Sequence, residues 1–125
     1  MKNSNKIPAT KQEPAKEGKY KKVFAEKYGK KFADYGSRDD MPEEILRSFV
    51  SACFDVYEYV GFKPIFESPY EVFPEGLVDN NGKPFTVISR CTEDQCDLDS
   101  LPMWNIKFAD GYECQAYPEE ICYAE

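Results

Sequence analysis

Five cysteines are the residues of this chain whose spacing can be compared most directly with a known kind of site. Four of them, Cys91, Cys96, Cys114 and Cys122, would be enough thiolates for a tetrahedral zinc ion. Structural zinc sites usually take two closely spaced cysteine pairs, with two to four residues between the members of each pair. Here four residues separate Cys91 from Cys96, and seven separate Cys114 from Cys122. We therefore expect no metal and no other cofactor, and thiols that are buried or idle.

A second candidate for metal chemistry is the acidic segment EDQCDLD, which offers carboxylates to calcium. An EF-hand loop alternates its acidic ligands, carries a central glycine and ends on a glutamate, and this segment does none of these. The segment is also poor in apolar residues. We expect it to form a solvated acidic loop. Its carboxylates are those of Glu93, Asp94, Asp97 and Asp99.

The chain contains no histidine. This absence removes the commonest general base near neutral pH, together with every Ser–His or Cys–His nucleophile pair. Catalysis would have to rest on carboxylates alone. We therefore expect that the protein is not an enzyme, and a small enzyme is the least favoured alternative.

Charge divides the chain into two unlike parts. Residues 1–35 hold ten lysines against four acidic residues, whereas residues 36–125 hold six basic against nineteen acidic residues, which gives balances of +6 and −13. The acidic part predicts a protein partner with a basic surface. The protein could then be a mobile-element or phage inhibitor that mimics nucleic acid, as anti-CRISPR and anti-restriction proteins do. The alternative is a nucleic-acid-binding accessory protein that contacts phosphates through the lysine-rich arm.

The first residues, MKNSNKIPATKQEPAKEGKYKK, contain no apolar run like that of a signal peptide, and no stretch of eighteen apolar residues occurs in the chain. We expect no membrane association and a cytoplasmic protein, with reduced thiols. The prolines and lysines of residues 1–20 predict a disordered tail. Residues 21–125 then form one small domain, helical over 21–61 and β-rich over 62–125.

Two segments have helical periodicity. In residues 21–35 the apolar residues recur at helical spacing, although Gly29 weakens a helix there by about 1 kcal/mol. Residues 41–60 form a stronger amphipathic pattern, with Asp40 and Glu43 fitting a capping box and Gly61 supplying a stop. We expect the second helix to cover the sheet of the same domain.

The segment PMWNIKFADGYECQAYPEEI predicts a hairpin followed by a tight turn. A three-residue loop over 109–111 would pair Phe108 with Tyr112 and put apolar residues on one face and polar residues on the other. Gly111 would take the left-handed position of that loop. Upstream, KPIFES and YEVF contain or adjoin prolines and are expected as edge strands or extended connections, and GLVDNNGKPFTVISRC as strand, turn and strand.

A strand, a turn containing Asp-Gly, a second strand and a closing Pro-Glu-Glu-Ile turn resemble the last hairpin of SH3-like and Tudor-like small barrels, over about residues 72–122. The resemblance implies a small barrel that binds other molecules, and it carries no functional residues. The expected fold class is α+β: a helix over about 41–60 packed on a small antiparallel C-terminal sheet or SH3-like barrel.

The expected contact surface combines the acidic loop with the polar face of the last hairpin. The hypothesis is that this surface binds a basic, nucleic-acid-handling partner. The residues assigned to it are Glu93, Asp94, Asp97, Asp99, Lys107, Glu113, Glu119 and Glu120.

Overall fold

A computed structural model describes residues 18–69 and 79–123. Two helices come first, α1 (Lys19–Tyr28) and α2 (Glu43–Val60). Three strands and a short helix follow: β1 (Phe85–Arg90), β2 (Trp104–Phe108), β3 (Glu113–Ala116) and α3 (Pro118–Ile121). The strands form one antiparallel sheet in the order β1-β2-β3. The predicted α+β class is confirmed, with the sheet rather than a barrel in the part of the chain that is described. Most of the predicted tail lies outside these residues.

The first helix is shorter than the predicted range of 21–35. Helix α1 ends at Tyr28, and the N–H of Gly29 donates to the carbonyl of Ala25. The chain then continues through turns to residue 34. Gly29 therefore stands at the end of the helix, which fits the cost of glycine within a helix.

Helix α2 matches the predicted amphipathic helix at its C-terminal end. Gly61 has a φ of 107°, a backbone conformation that favours glycine, and its N–H donates to the carbonyl of Tyr57. The predicted capping box at Asp40 is wrong, because Asp40 ends a 3-10 turn and Pro42 occupies the N-cap position. Glu43 and Glu44 lie in the first turn, where the helix dipole favours negative charge.

Helix α2 lies between α1 and the sheet. On one side the ring of Tyr57 stacks on Tyr20 at 3.9 Å, and Phe49 meets Phe24 edge-on at 5.5 Å. On the other side Phe54 packs edge-on against Trp104 of β2, with ring centroids 5.2 Å apart. The predicted cover over the sheet is confirmed. The core between helix and sheet contains Leu46, Val50, Phe54, Phe66, Trp104, Ile106, Phe108 and Ile121.

The hairpin β2–β3 has the predicted register. Ile106 pairs with Cys114 and Lys107 with Glu113, and the N–H of Phe108 donates to the carbonyl of Tyr112 at 2.9 Å. Gly111 has a φ of 94°. Because every second residue faces the core, this register buries the apolar face of β2 and leaves the polar face outward. The short helix α3 is the tight turn that the Pro-Glu-Glu-Ile pattern predicted, and its Ile121 is fully buried.

The chain between α2 and β1 is extended where it is described. Within KPIFES, Phe66 is fully buried, and its backbone exchanges hydrogen bonds with Lys83 and Gly82. This segment is therefore the predicted extended connection. Gly82, with a φ of 86°, belongs to the turn before β1. The segment YEVF and the strand predicted to begin at Gly76 lie outside the described residues, except that Asp79 and Asn80 take a helical conformation.

An ionic cluster joins α2 to the sheet. The guanidinium of Arg90 donates to both carboxylate oxygens of Glu58, at 2.9 and 2.7 Å, and to Asp55 at 2.9 Å. The indole N–H of Trp104 donates to the same Glu58 at 2.9 Å. These hydrogen bonds favour the carboxylate form, so the pKa of Glu58 lies below its ordinary value, first because of Arg90 and then because of Trp104.

Acidification should weaken this cluster. Because the pKa of Glu58 is lower in the folded than in the unfolded chain, ionised Glu58 stabilises the fold above the unfolded value of 4.5, and this contribution is lost as pH falls below it. The group is partly exposed, so we expect Glu58→Gln to cost about 1 kcal/mol at neutral pH. Urea unfolding at pH 7 and pH 4 measures both effects. A variant that loses as much stability on acidification as the unmodified protein would contradict this role of Glu58.

Candidate functional site

The acidic loop is folded over the polar face of the hairpin. The side-chain amide of Asn105, on β2, donates to Gln95 of the loop at 3.2 Å, and that of Gln95 donates back at 3.3 Å. Asn105 also donates to Ser89 of β1 at 2.9 Å. The structure thus brings together the two parts of the predicted surface. The loop carries two turns of its own, at residues 92–96 and 97–100, rather than being only a solvated connection.

A cavity of about 390 Å³ lies where the loop meets the hairpin. Three of the predicted carboxylates line it, those of Glu93, Asp94 and Asp97. Its other walls are Gln95, Cys96, Ser100, Met103, Gln115 and Tyr117. Carboxylate, amide and hydroxyl oxygens predominate among these groups, and oxygens of this kind accept hydrogen bonds from ammonium and guanidinium groups.

A second cavity of about 590 Å³ adjoins the first, because Ser100 and Tyr117 line both. Two more of the predicted carboxylates, Asp99 and Glu119, belong to its walls. The aromatic residues around it come from the helices and from α3's N-terminal flank: Tyr20, Phe49, Tyr57 and Tyr117. We call the two cavities together the acidic groove. Aromatic faces beside carboxylates suit the alkyl stem and charged head of lysine or arginine.

Arg38 is a groove residue that the sequence did not reveal. Its guanidinium donates to the backbone carbonyls of Leu98 and Leu101, at 3.1 and 2.7 Å, and it also lies 6.0 Å from the ring of Phe49. A single side chain before α2 thereby holds the far end of the acidic loop. No local pattern signals this contact, since more than fifty residues separate the partners.

Glu93 has a partner within the protein. Arg47 of α2 donates to both its carboxylate oxygens, at 2.8 and 3.1 Å, and also pairs with Glu43 one turn earlier. The hydrogen bonds from Arg47 lower the pKa of Glu93. Glu93 therefore anchors the beginning of the loop to α2, and its charge is already compensated. Asp94, Asp97 and Asp99 form no ion pair among residues 18–69 and 79–123.

The three remaining predicted residues take other positions. Lys107 and Glu113 face each other across β2 and β3, and neither lines the acidic groove. Glu120 is 5% exposed, and its carboxylate accepts a hydrogen bond from the backbone N–H of Tyr117 at 2.9 Å. Glu120 thus fixes the turn that presents Tyr117 and is not placed to meet a partner directly. The burial of Glu120 depends on how α3 packs against the rest of the protein, and this packing cannot be read from the sequence around it.

Cys53 lies on α2 and Cys114 on β3, whereas Cys91, Cys96 and Cys122 lie outside the helices and strands. Cys114 packs against the core, as its register predicted, and burial raises its pKa to about 11. Cys53 and Cys122 are buried, and burial raises both of their pKa values as well. In the described part of the chain, no three Cys, Asp or Glu side chains are grouped closely enough to hold a metal ion.

The fold and site define an α+β protein with an acidic groove where the acidic loop folds over the sheet. Comparisons with models of protein families, with curated proteins and with solved structures found no significant match. The resemblance to SH3-like barrels therefore has no support beyond the final hairpin and turn. Over the residues described, no helix has the length and apolarity needed to cross a bilayer.

Proposed function

We propose that this protein is a binding module whose acidic groove takes lysine or arginine side chains from a basic partner protein. The observation that carries the proposal is the convergence of Asp94, Asp97, Asp99 and Glu119 on two adjoining cavities. Three of these carboxylates, those of Asp94, Asp97 and Asp99, have no ion pair within the described residues. A cationic group of the partner could therefore pair with them without breaking an ion pair of this protein.

The wider charge distribution supports the same partner. Residues 36–125 carry nineteen acidic against six basic residues, and such an excess attracts a basic protein over distances of about 8 Å at physiological salt. Proteins that handle nucleic acid offer basic surfaces of this kind. The proposal is therefore that the module inhibits or modulates such a protein by occupying the surface that nucleic acid would use, inside the cell and without catalysis of its own.

A direct test replaces the three unpaired carboxylates. The variant Asp94→Asn/Asp97→Asn/Asp99→Asn should bind a fluorescent nona-arginine peptide about tenfold more weakly, since each exposed charge contributes roughly 0.2 to 1 kcal/mol. The control variant Asp34→Asn/Asp39→Asn/Glu44→Gln removes the same charge from exposed positions outside the groove. Its affinity should change little. Equal losses in both variants would mean that net charge alone attracts the peptide, and would overturn the proposal.

A second candidate function, nucleic-acid binding, is supported by the ordered lysines of α1 and the turn after it. Six lysines lie there and all are exposed: Lys19, Lys21, Lys22, Lys27, Lys30 and Lys31. The aromatic residues among them, such as Tyr20 and Phe24, pack against α2 and so are not available for base stacking. Duplex DNA as a second probe in the same titration separates the candidates. DNA binding that survives in the groove variant, with no arginine-peptide binding by the unmodified protein, would favour this alternative.

A further inference from the structure

Two thiols contact neighbouring side chains of the hairpin, on the face that the acidic loop covers. The Cys91 thiol donates to the side-chain oxygen of Asn105, and the Cys96 thiol to that of Gln115, each at 3.5 Å. Asn105 and Gln115 are direct cross-strand partners on β2 and β3. At the start of the loop the Cys96 N–H donates to the carbonyl of Thr92 at 3.1 Å, and this turn brings Cys96 back to the residue that follows Cys91.

The two cysteines differ in how far reagents can reach them. Cys96 is partly exposed and lines the first cavity of the acidic groove, whereas Cys91 is 3% exposed. Burial, with smaller contributions from Cys96, raises the pKa of Cys91 to about 12. The acceptors of the two thiols, Asn105 and Gln115, are direct cross-strand partners, so both thiols lie at the same part of the sheet. Cys96 is thus the thiol that meets an oxidant first, and Cys91 the one placed to react with the product.

We propose that Cys91 and Cys96 are an oxidation site, at which hydrogen peroxide converts the two thiols to an intramolecular disulfide. The Cys96 thiolate attacks one oxygen of the peroxide, the O–O bond breaks, and the products are Cys96 sulfenic acid and hydroxide. The Cys91 sulfur then attacks the sulfenic sulfur, the S–O bond breaks, and the departing hydroxide takes the Cys91 proton to form water. The two sulfur atoms lose two electrons in all, and the peroxide gains them.

The disulfide would change the acidic groove. It would close a small ring over residues 91–96 and remove both thiol hydrogen bonds to the sheet, while Cys96 stands between Asp94 and Asp97. Disulfides are rare in reducing compartments, and those that form there are usually transient and either catalytic or redox-sensing. The effect on binding rests on the proposed function; the formation of the disulfide does not.

The first measurement is mass spectrometry of the full chain after treatment with hydrogen peroxide. Trypsin cuts after Arg90 and Lys107, so both cysteines fall in the single peptide 91–107. The expected result is loss of two hydrogen atoms from that peptide, reversed by dithiothreitol. In Cys96→Ser the loss should disappear and Cys91 should stay reduced, whereas Cys114→Ser should behave as the unmodified protein does. A Cys96-linked dimer, a bond to another cysteine, or Cys96 sulfinic acid beside a reduced Cys91 would overturn the proposal.

The second measurement compares the reduced and oxidised proteins in the arginine-peptide titration. We expect at least a threefold difference in affinity, because the carboxylates on both sides of Cys96 would be displaced. If the disulfide forms and the affinity is unchanged, the regulatory part is wrong while the proposed function stands. If neither form binds the peptide but the disulfide forms, the proposed function fails and the oxidation site remains.

Discussion

Trp104→Ala should be the most destabilising single substitution in the described part of the chain, at about 3 to 5 kcal/mol. The indole is fully buried and meets the rings of Phe54, Phe62 and Tyr57 edge-on, with centroids 5.2, 5.4 and 5.9 Å away. Alanine would leave a cavity among them and would also remove the hydrogen bond to Glu58. Since small domains are stable by only about 5 to 15 kcal/mol, much of the protein should then be unfolded near its working temperature.

Far-ultraviolet circular dichroism during urea unfolding measures this loss without relying on the fluorescence of Trp104, which is the only tryptophan. Trp104→Phe keeps an aromatic ring in the site and should recover more than half of the loss. Ile88→Ala is a matched control on β1, because Ile88 is 50% exposed and its truncation should change the stability by less than about 0.5 kcal/mol. A cost below about 1 kcal/mol for Trp104→Ala would show that the helix–sheet core is not centred on this residue.

Phe49→Ala should release α1 while leaving the sheet folded. Phe49 is the ring on α2 that meets both Phe24 and Phe32, edge-on at 5.5 and 5.2 Å. The main contacts of α1 are with α2, and they include stacked and edge-on aromatic rings. We expect a loss of about 2 kcal/mol, confined to the opening of α1, because Phe49 is only partly buried.

Hydrogen exchange followed by mass spectrometry distinguishes local from global opening. In Phe49→Ala, amides of residues 19–28 should exchange much faster, whereas those of β2 should keep their protection. Ser51→Ala, at an exposed position on the same helix, serves as the control and should leave both rates unchanged. Equal acceleration in α1 and β2 would mean that the two layers unfold as one unit, contrary to this prediction.

The elements that could be predicted from the sequence are those governed by neighbours along the chain. The hairpin register follows from alternation and from Gly111, whose positive φ the three-residue loop requires. The extent of α2 follows from its apolar periodicity and from Gly61. The proline and two glutamates before Ile121 similarly predicted the closing turn. In each case the deciding residues lie within a few positions of one another.

One local prediction failed, and the other features that the sequence did not show depend on distant partners. Asp40 has the right residue type and spacing for a capping box, but the chain uses it to end a 3-10 turn instead. Glu93 and Glu120 look like surface acids in the sequence. Glu93 pairs with Arg47, which lies more than forty residues earlier on α2. Glu120 is buried, and its carboxylate caps the N-terminus of α3. The aromatic wall of the acidic groove also comes from α1 and α2, which the sequence separates from the loop.

The bulge in β1 has a consequence for how this protein behaves in concentrated solution. Val87 pairs with Ile106 and Ser89 with Asn105, so Ile88 is an extra residue without a partner on β2. Among the described strands β1 is one edge of the sheet, and an edge with a regular ladder is a template on which another chain can add a strand. The bulge interrupts that ladder midway, and Arg90 places a charge at its end. The longest strand of the sheet is thereby protected against edge-to-edge aggregation, even though it displays an exposed isoleucine.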